Sequence, residues 1–147
     1  MPMEMVPLFF DLDHTLWDFV SNSRKTLREG YEVFALHDVG VTDFSEWIRV
    51  FERTNDWCWE EYRQGRMDKT TLRSARFEMA LQTIGSTAPS ELAKELDIHY
   101  IQYSPQQTGL IDGTLPLLKE LQRRGHQMWI LTNGFEEVQR IKLQCCG

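Results

Sequence analysis

Two carboxylates stand two residues apart near the amino terminus of this 147-residue chain, in the run Asp11-Leu12-Asp13-His14-Thr15. Carboxylates that close repel each other unless a cation or a shared proton relieves them. A hard cation such as Mg2+ accepts oxygen ligands and keeps coordination positions free for water and a substrate phosphate. A carboxylate is also a competent nucleophile toward phosphoryl groups, giving an aspartyl-phosphate. A second acid beside it can protonate a leaving oxygen and then activate water. Much later in the chain, Thr132-Asn133-Gly134 offers complementary groups: a hydroxyl, then amides that lead into a helix N-terminus. Such donors suit a phosphate. Metal, donors and a positioned nucleophile are the ingredients of phosphoryl transfer.

Taken alone, the Asp pair reads more readily as a turn or cap, because Asp is common after strands. A calcium loop is excluded, since its sixth position is Leu16 where Gly is needed and its twelfth is Asn22 where Glu is needed. What favours chemistry is the combination of a buried strand, the Asp-x-Asp-x-Thr run and a second strand ending in Thr-Asn-Gly. Thr15 can tie down the turn by hydrogen-bonding its backbone.

The elements that must position these groups follow from periodicity. Residues 6–10, Val-Pro-Leu-Phe-Phe, are apolar on both faces and predict a buried parallel strand. Residues 127–131 predict a second. Leu27, Tyr31 and Phe34 mark a helix over 22–36, and Trp47, Phe51, Thr54, Cys58 and Tyr62 mark one over 44–63. Asp68 caps a third helix through Leu72, Phe77, Leu81 and Ile84, with Gly85 as its stop. Pro89 lies in the first turn of a fourth, which carries Leu92, Leu96, His99 and Tyr103. These four read as one bundle. A helix over 115–124 and another from about Phe135 complete the chain. Two strands therefore flank a helical insertion. Ligands of parallel α/β sheets bind beyond the carboxyl ends of strands, so neighbouring strands would bring Asp11, Asp13 and Thr132 to one site.

Composition sets the class. With 41% hydrophobic and 26% charged residues the chain can bury a core, which excludes disorder over most of its length. A net charge of −6 argues against gripping a nucleic acid polymer or docking on an anionic membrane surface. No apolar run approaches the roughly 18 residues needed to span a bilayer. The start, Met-Pro-Met-Glu-Met, lacks the basic region and cleavage site of a secretory signal. Cys58, Cys145 and Cys146 form no Cys-x-x-Cys pair and read as reduced thiols of a cytoplasmic protein. The four histidines have no cysteine pair to build a zinc site with.

The run Phe9-Phe10-Asp11-Leu12-Asp13-His14-Thr15-Leu16 resembles the first motif of the haloacid dehalogenase-like hydrolases, and Trp129-Ile130-Leu131-Thr132-Asn133-Gly134 resembles their second. The helical insertion resembles their α-helical cap. The wording Asp-Leu-Asp-His-Thr-Leu-Trp-Asp with Thr-Asn-Gly-Phe is similar to the pyrimidine 5′-nucleotidase branch. The resemblance implies an α/β fold, a Rossmannoid parallel sheet that is incomplete here, formed by residues 1–19 and 109–147 with a helical cap over 20–108. It implies a Mg2+-dependent phosphatase that acts through an aspartyl-phosphate on nucleoside 5′-monophosphates or other small phosphate monoesters. Asp11 would be nucleophile and metal ligand. Asp13 would be general acid/base and bind the metal through its carbonyl. Thr132 would hold the phosphate, with amide donors from the first-motif loop and Asn133, while Thr15 and Gly134 support the two turns. Members that cleave carbon–halogen bonds lack the second Asp, so a dehalogenase is the lesser expectation.

Two further motifs of that family, a lysine and an acidic pair, each follow a further strand, and this chain ends before them. Lys142, the only lysine after Thr132, falls inside the last helix and reads as a solvated face residue. The expectation is the front portion of a longer hydrolase or a truncated gene product. The alternative function is a catalytically inactive fragment or interaction protein. A sheet domain of about 60 residues is marginal by itself, and its open edge could pair with a second copy. The expected partner is a small phosphorylated metabolite, with no nucleic acid polymer and no membrane. Most of Trp47, Trp57, Trp59 and Tyr62 read as bundle core rather than a base-stacking surface. Arg63, Arg66 and Lys69 read as solvated helix-end charges rather than a substrate patch. His14 suits a pocket or a turn, and Trp17 and Asp18 a hinge where the cap begins.

Overall fold

The computed structural model describes residues 6–147. Strand β1 (Leu8–Phe10) pairs in parallel with strand β2 (Met128–Ile130), Phe9 opposite Trp129. Between them lie helices α1 (Phe19–Val33), α2 (Phe44–Arg63), α3 (Lys69–Ile84), α4 (Glu91–Tyr103) and α5 (Thr114–Arg123), and α6 (Glu136–Cys146) follows β2. Short 3-10 turns occupy Leu36–Val39 and Ser104–Gln106. The chain divides into two units: residues up to Ser23 together with Ser104–Gly147, and Arg24–Tyr103. Among the described residues no helix is long and apolar enough to cross a membrane.

The helical unit is built on the stripes that periodicity marks. Leu27, Trp47, Phe51, Phe77, Leu81, Leu92, Leu96 and Tyr100 form one core, drawn from all four helices. Phe51 and Phe77 stack at 4.6 Å between ring centroids, and Tyr100 packs beside both. Asp43 and Asp68 accept from Ser45 N and Thr71 N to cap α2 and α3. Gly85 ends α3 in the left-handed conformation, as a glycine stop should. Helix α1 begins three residues earlier than its apolar spacing suggests. The Asp18 carboxylate accepts from Ser21 N and its carbonyl from Asn22 N, so Asp18 starts the helix. Pro89 stands two residues ahead of α4 and offers its carbonyl to Leu92 N, rather than lying in the first turn.

The sheet unit has its own core of Leu12, Leu16 and Trp17, with Phe10, Leu110, Leu118, Ile130 and Cys146 packed against it. Trp17 is fully buried, and its Nε1 donates to Gln107 O at 3.0 Å. The strands are not buried on both faces, as their apolar runs suggest. Leu8 and Phe10 alternate with Phe9, and Met128 and Ile130 with Trp129, so only one face of each strand meets that core. Phe9 and Trp129 are 63% and 57% exposed.

Candidate functional site

Beyond the carboxyl end of the sheet the ladder closes with Leu131 N donating to Phe10 O at 2.8 Å. That bond sets Asp11, next after Phe10, beside the start of Leu131-Thr132-Asn133. Asp11 is exposed, and its Oδ1 accepts from Leu12 N at 2.8 Å, which fixes the carboxylate against its own turn. The turn that follows is closed by Leu12 O, which accepts from the amides of Thr15, Leu16 and Trp17. His14 sits at its apex with φ of 64°, a left-handed conformation uncommon outside glycine. Its amide donates to Trp17 O, and its ring lies 4.7 Å from that of Phe19. The Thr15 amide donates to Leu12 O at 3.3 Å, so Thr15 closes the turn through its backbone.

Asp13 is held on both sides. Oδ1 accepts from Lys142 Nζ at 2.7 Å, and Oδ2 accepts from Gln139 Nε2 at 3.0 Å. The same Gln139 nitrogen donates to Thr132 Oγ1 at 2.8 Å. Asp13 and Thr132, from the two strand ends, thus meet through one side-chain amide. Thr132 Oγ1 also accepts from Gly134 N at 3.1 Å. With both acceptor positions of that hydroxyl filled, its own proton remains to be donated. Asn133 is exposed. The α6 N-terminus begins after Phe135 without a side-chain cap and carries Glu136 and Glu137 in its first turn.

Lys142 overturns the expectation of a solvated face residue. Its side chain is 5% exposed, its Nζ lies 2.7 Å from the Asp13 carboxylate, and it sits 4.1 Å from the Trp17 ring centroid. Burial pulls its ammonium below the ordinary lysine range, against the pull of Asp13 in the other direction. Helix α6 is turned so that Gln139 and Lys142 face inward while Ile141 and Leu143 are exposed. The signal that could have found this is the stripe Phe135, Gln139, Lys142, Cys146, spaced at helical intervals through two polar residues. Gln139 was not singled out by sequence for the same reason.

The remaining candidates separate. Trp47 is fully buried, whereas Trp57 is 48% exposed and Trp59 stacks edge-on against Tyr62 at 5.7 Å. Arg63 and Arg66 are engaged by Glu60 and Glu61. Cys146 is pushed up by burial, away from thiolate chemistry. Among the described residues no cluster of three or more His, Cys, Asp or Glu could hold a metal ion. A closed all-protein cage is therefore not built here. The oxygen donors available, the exposed Asp11 carboxylate and the Asp13 carbonyl, fit a hard cation that takes most of its shell from water and a phosphate.

The model of the haloacid dehalogenase-like hydrolase family matches residues 8–147. The pyrimidine 5′-nucleotidase PynA of Streptococcus pneumoniae is 26% identical over 140 residues, which are 95% of this chain and 56% of that protein. Human N-acylneuraminate-9-phosphatase is 30% identical over 143 residues, with the same two coverages. Among solved structures, the HAD-hydrolase YfnB of Bacillus subtilis, described as bound to magnesium, superimposes with a TM-score of 0.80 at 25% identity. That match covers 97% of this chain and 60% of YfnB. The chain spans about half the length of the curated relatives it matches.

Proposed function

We propose, from the premise that this chain belongs to the haloacid dehalogenase-like hydrolase family, that it carries the reacting groups of a magnesium-dependent phosphatase for small phosphate monoesters. The observation that carries the reading is the meeting of Asp13 and Thr132 through Gln139, beside Asp11, at the carboxyl end of a parallel strand pair. The order of groups supports one sequence of events. An Asp11 carboxylate oxygen attacks phosphorus, and the phosphorus–oxygen bond to the leaving group breaks. Asp13 in its protonated form gives that proton to the departing alkoxide, and as the carboxylate held by Lys142 and Gln139 it then takes one from the water that attacks the aspartyl-phosphate, releasing phosphate and restoring Asp11. Thr132 Oγ, with its proton available, donates to a phosphoryl oxygen. Asp11 and the Asp13 carbonyl would hold Mg2+, which supplies charge neutralisation at the phosphoryl group. The helical unit would act as the cap that admits substrate.

Nucleoside 5′-monophosphates are the substrate class to try first, because a pyrimidine 5′-nucleotidase is among the relatives. A sugar phosphate belongs in the same panel, because an N-acylneuraminate-9-phosphatase is another. The test is phosphate release by the full chain from that panel and an aryl phosphate, with Mg2+ and with chelator. Metal-dependent release is the expected result. Release that chelator does not touch, or that Asp13→Asn leaves unchanged, contradicts the reading.

A further inference from the structure

Gln139 is placed at a cost that folding alone does not explain. The residue is 4% exposed, and its Oε1 is buried with no hydrogen-bond partner. A buried acceptor left unpaired is unfavourable. The amide nitrogen of the same side chain has both its hydrogens in use, on Asp13 Oδ2 and Thr132 Oγ1. The neighbouring turn is built around it. A Cβ at Gly134 would lie 2.4 Å from Gln139 Nε2 and 2.6 Å from Gln139 Cδ. Gly134 is not among the residues with positive φ, so space for this amide, not backbone conformation, requires glycine there.

Lys142 completes the arrangement one helical turn further along α6. Its ammonium holds the other oxygen of Asp13, and the indole of Trp17 lies beneath it at 4.1 Å. The two oxygens of one carboxylate are thus fixed by two different side chains of one helix. A free carboxylate at this place would be repelled by Asp11 and drawn toward any divalent cation. Two-point attachment prevents both movements. Proton transfer needs the donor held to within hydrogen-bond distance of the reacting oxygen, so such restraint has a direct kinetic use.

We propose that Gln139 and Lys142 are positioning residues for Asp13, the Gln139 amide yoking its carboxylate to Thr132 and the Lys142 ammonium fixing the second oxygen. This rests on the reading of Asp13 as the general acid/base. The test uses the full chain with carbon-labelled aspartate, reading the Asp13 carboxylate resonance identified by its loss in Asp13→Asn. Gln139→Leu and Lys142→Met are compared with wild type, and Lys142→Arg serves as the conservative variant. The resonance should move in Gln139→Leu and Lys142→Met and return toward its wild-type position in Lys142→Arg. In phosphate release, kcat should fall on the order of tenfold or more in the first two variants while KM changes little. An Asp13 resonance that stays put in folded Gln139→Leu or in folded Lys142→Met overturns the proposal, as does an unchanged kcat in the same proteins; where Lys142→Met does not fold, Gln139→Leu decides. Equal release by wild type and Asp13→Asn would instead defeat the underlying reading, and the resonance would still decide whether the clamp exists.

Discussion

Lys142 Nζ lies 2.7 Å from Asp13 Oδ1, joining residues 129 positions apart in a site where only 5% of the lysine side chain is exposed. A buried ammonium is costly to desolvate and is tolerated when a carboxylate faces it with good geometry. The contact therefore ties the last helix of the chain to the first reactive loop. It also shows why α6 turns two polar residues inward and leaves Ile141 and Leu143 exposed.

The helical unit holds a second buried ion pair, and it supplies a stability prediction. Arg76 donates to Asp97 Oδ1 and to Asn55 Oδ1, both at 3.2 Å, and its guanidinium lies 4.8 Å from the Tyr100 ring. Burial raises the Asp97 carboxyl above its usual range, with Arg76 opposing. Arg76→Met removes the principal cation that offsets this buried carboxylate, Arg73 acting more weakly in the same direction, and should cost about 3–5 kcal/mol in urea unfolding. The double change Arg76→Met with Asp97→Leu should cost clearly less. Equal losses in the two proteins would show that packing, not the unpaired charge, sets the penalty.

Where the chain re-enters the sheet unit, Asn22 pairs with Gly109 at two points. Asn22 Nδ2 donates to Gly109 O at 2.8 Å, and Gly109 N donates to Asn22 Oδ1 at 3.0 Å. A Cβ at Gly109 would sit 2.5 Å from Asn22 Oδ1. Gly109→Ala should therefore destabilise by about 1–3 kcal/mol, the range for forcing atoms into an occupied space. Thermal unfolding of the alanine variant at the wild-type midpoint would refute the close approach.

His99 makes stability depend on pH. Its ring packs edge-on to Phe34 at 5.7 Å and lies 4.7 Å from Tyr103, and burial lowers its pKa from 6.5, with Glu29 pulling upward. A base whose folded pKa is lowered binds fewer protons in the native state than in the unfolded one. Its contribution is then intact above about pH 6.5 and is lost as pH falls from there through the folded value. Wild type should lose stability from pH 7 to pH 5, and His99→Phe should lose less. Parallel curves for the two proteins would exclude His99 as the titrating group.

These features were legible in the sequence to different degrees, for physical reasons. Asp11, Asp13 and Thr132 were readable because two short apolar runs end in them, and strand ends are where parallel sheets present their ligands. Helices α2 and α3 were readable because Asp68, Gly85 and long apolar stripes mark local boundaries. Lys142 and Gln139 were not, because the helical stripe they share with Phe135 and Cys146 is polar at its middle, and the carboxylate that lets it face inward lies more than a hundred residues away. The exposure of Phe9 and Trp129 escaped for a related reason. An apolar run predicts a strand but not what covers each of its faces.

The proposed role of Asp11 as acceptor of the phosphoryl group is open to direct test by locating that group on the chain. The full chain would be mixed with Mg2+ and a labelled aryl phosphate, quenched in acid and digested, and the labelled peptide sequenced. An acyl phosphate is expected on Asp11, absent after chelation and absent in Asp11→Asn. Phosphate release that continues undiminished in Asp11→Asn, or label found on another residue, would contradict it.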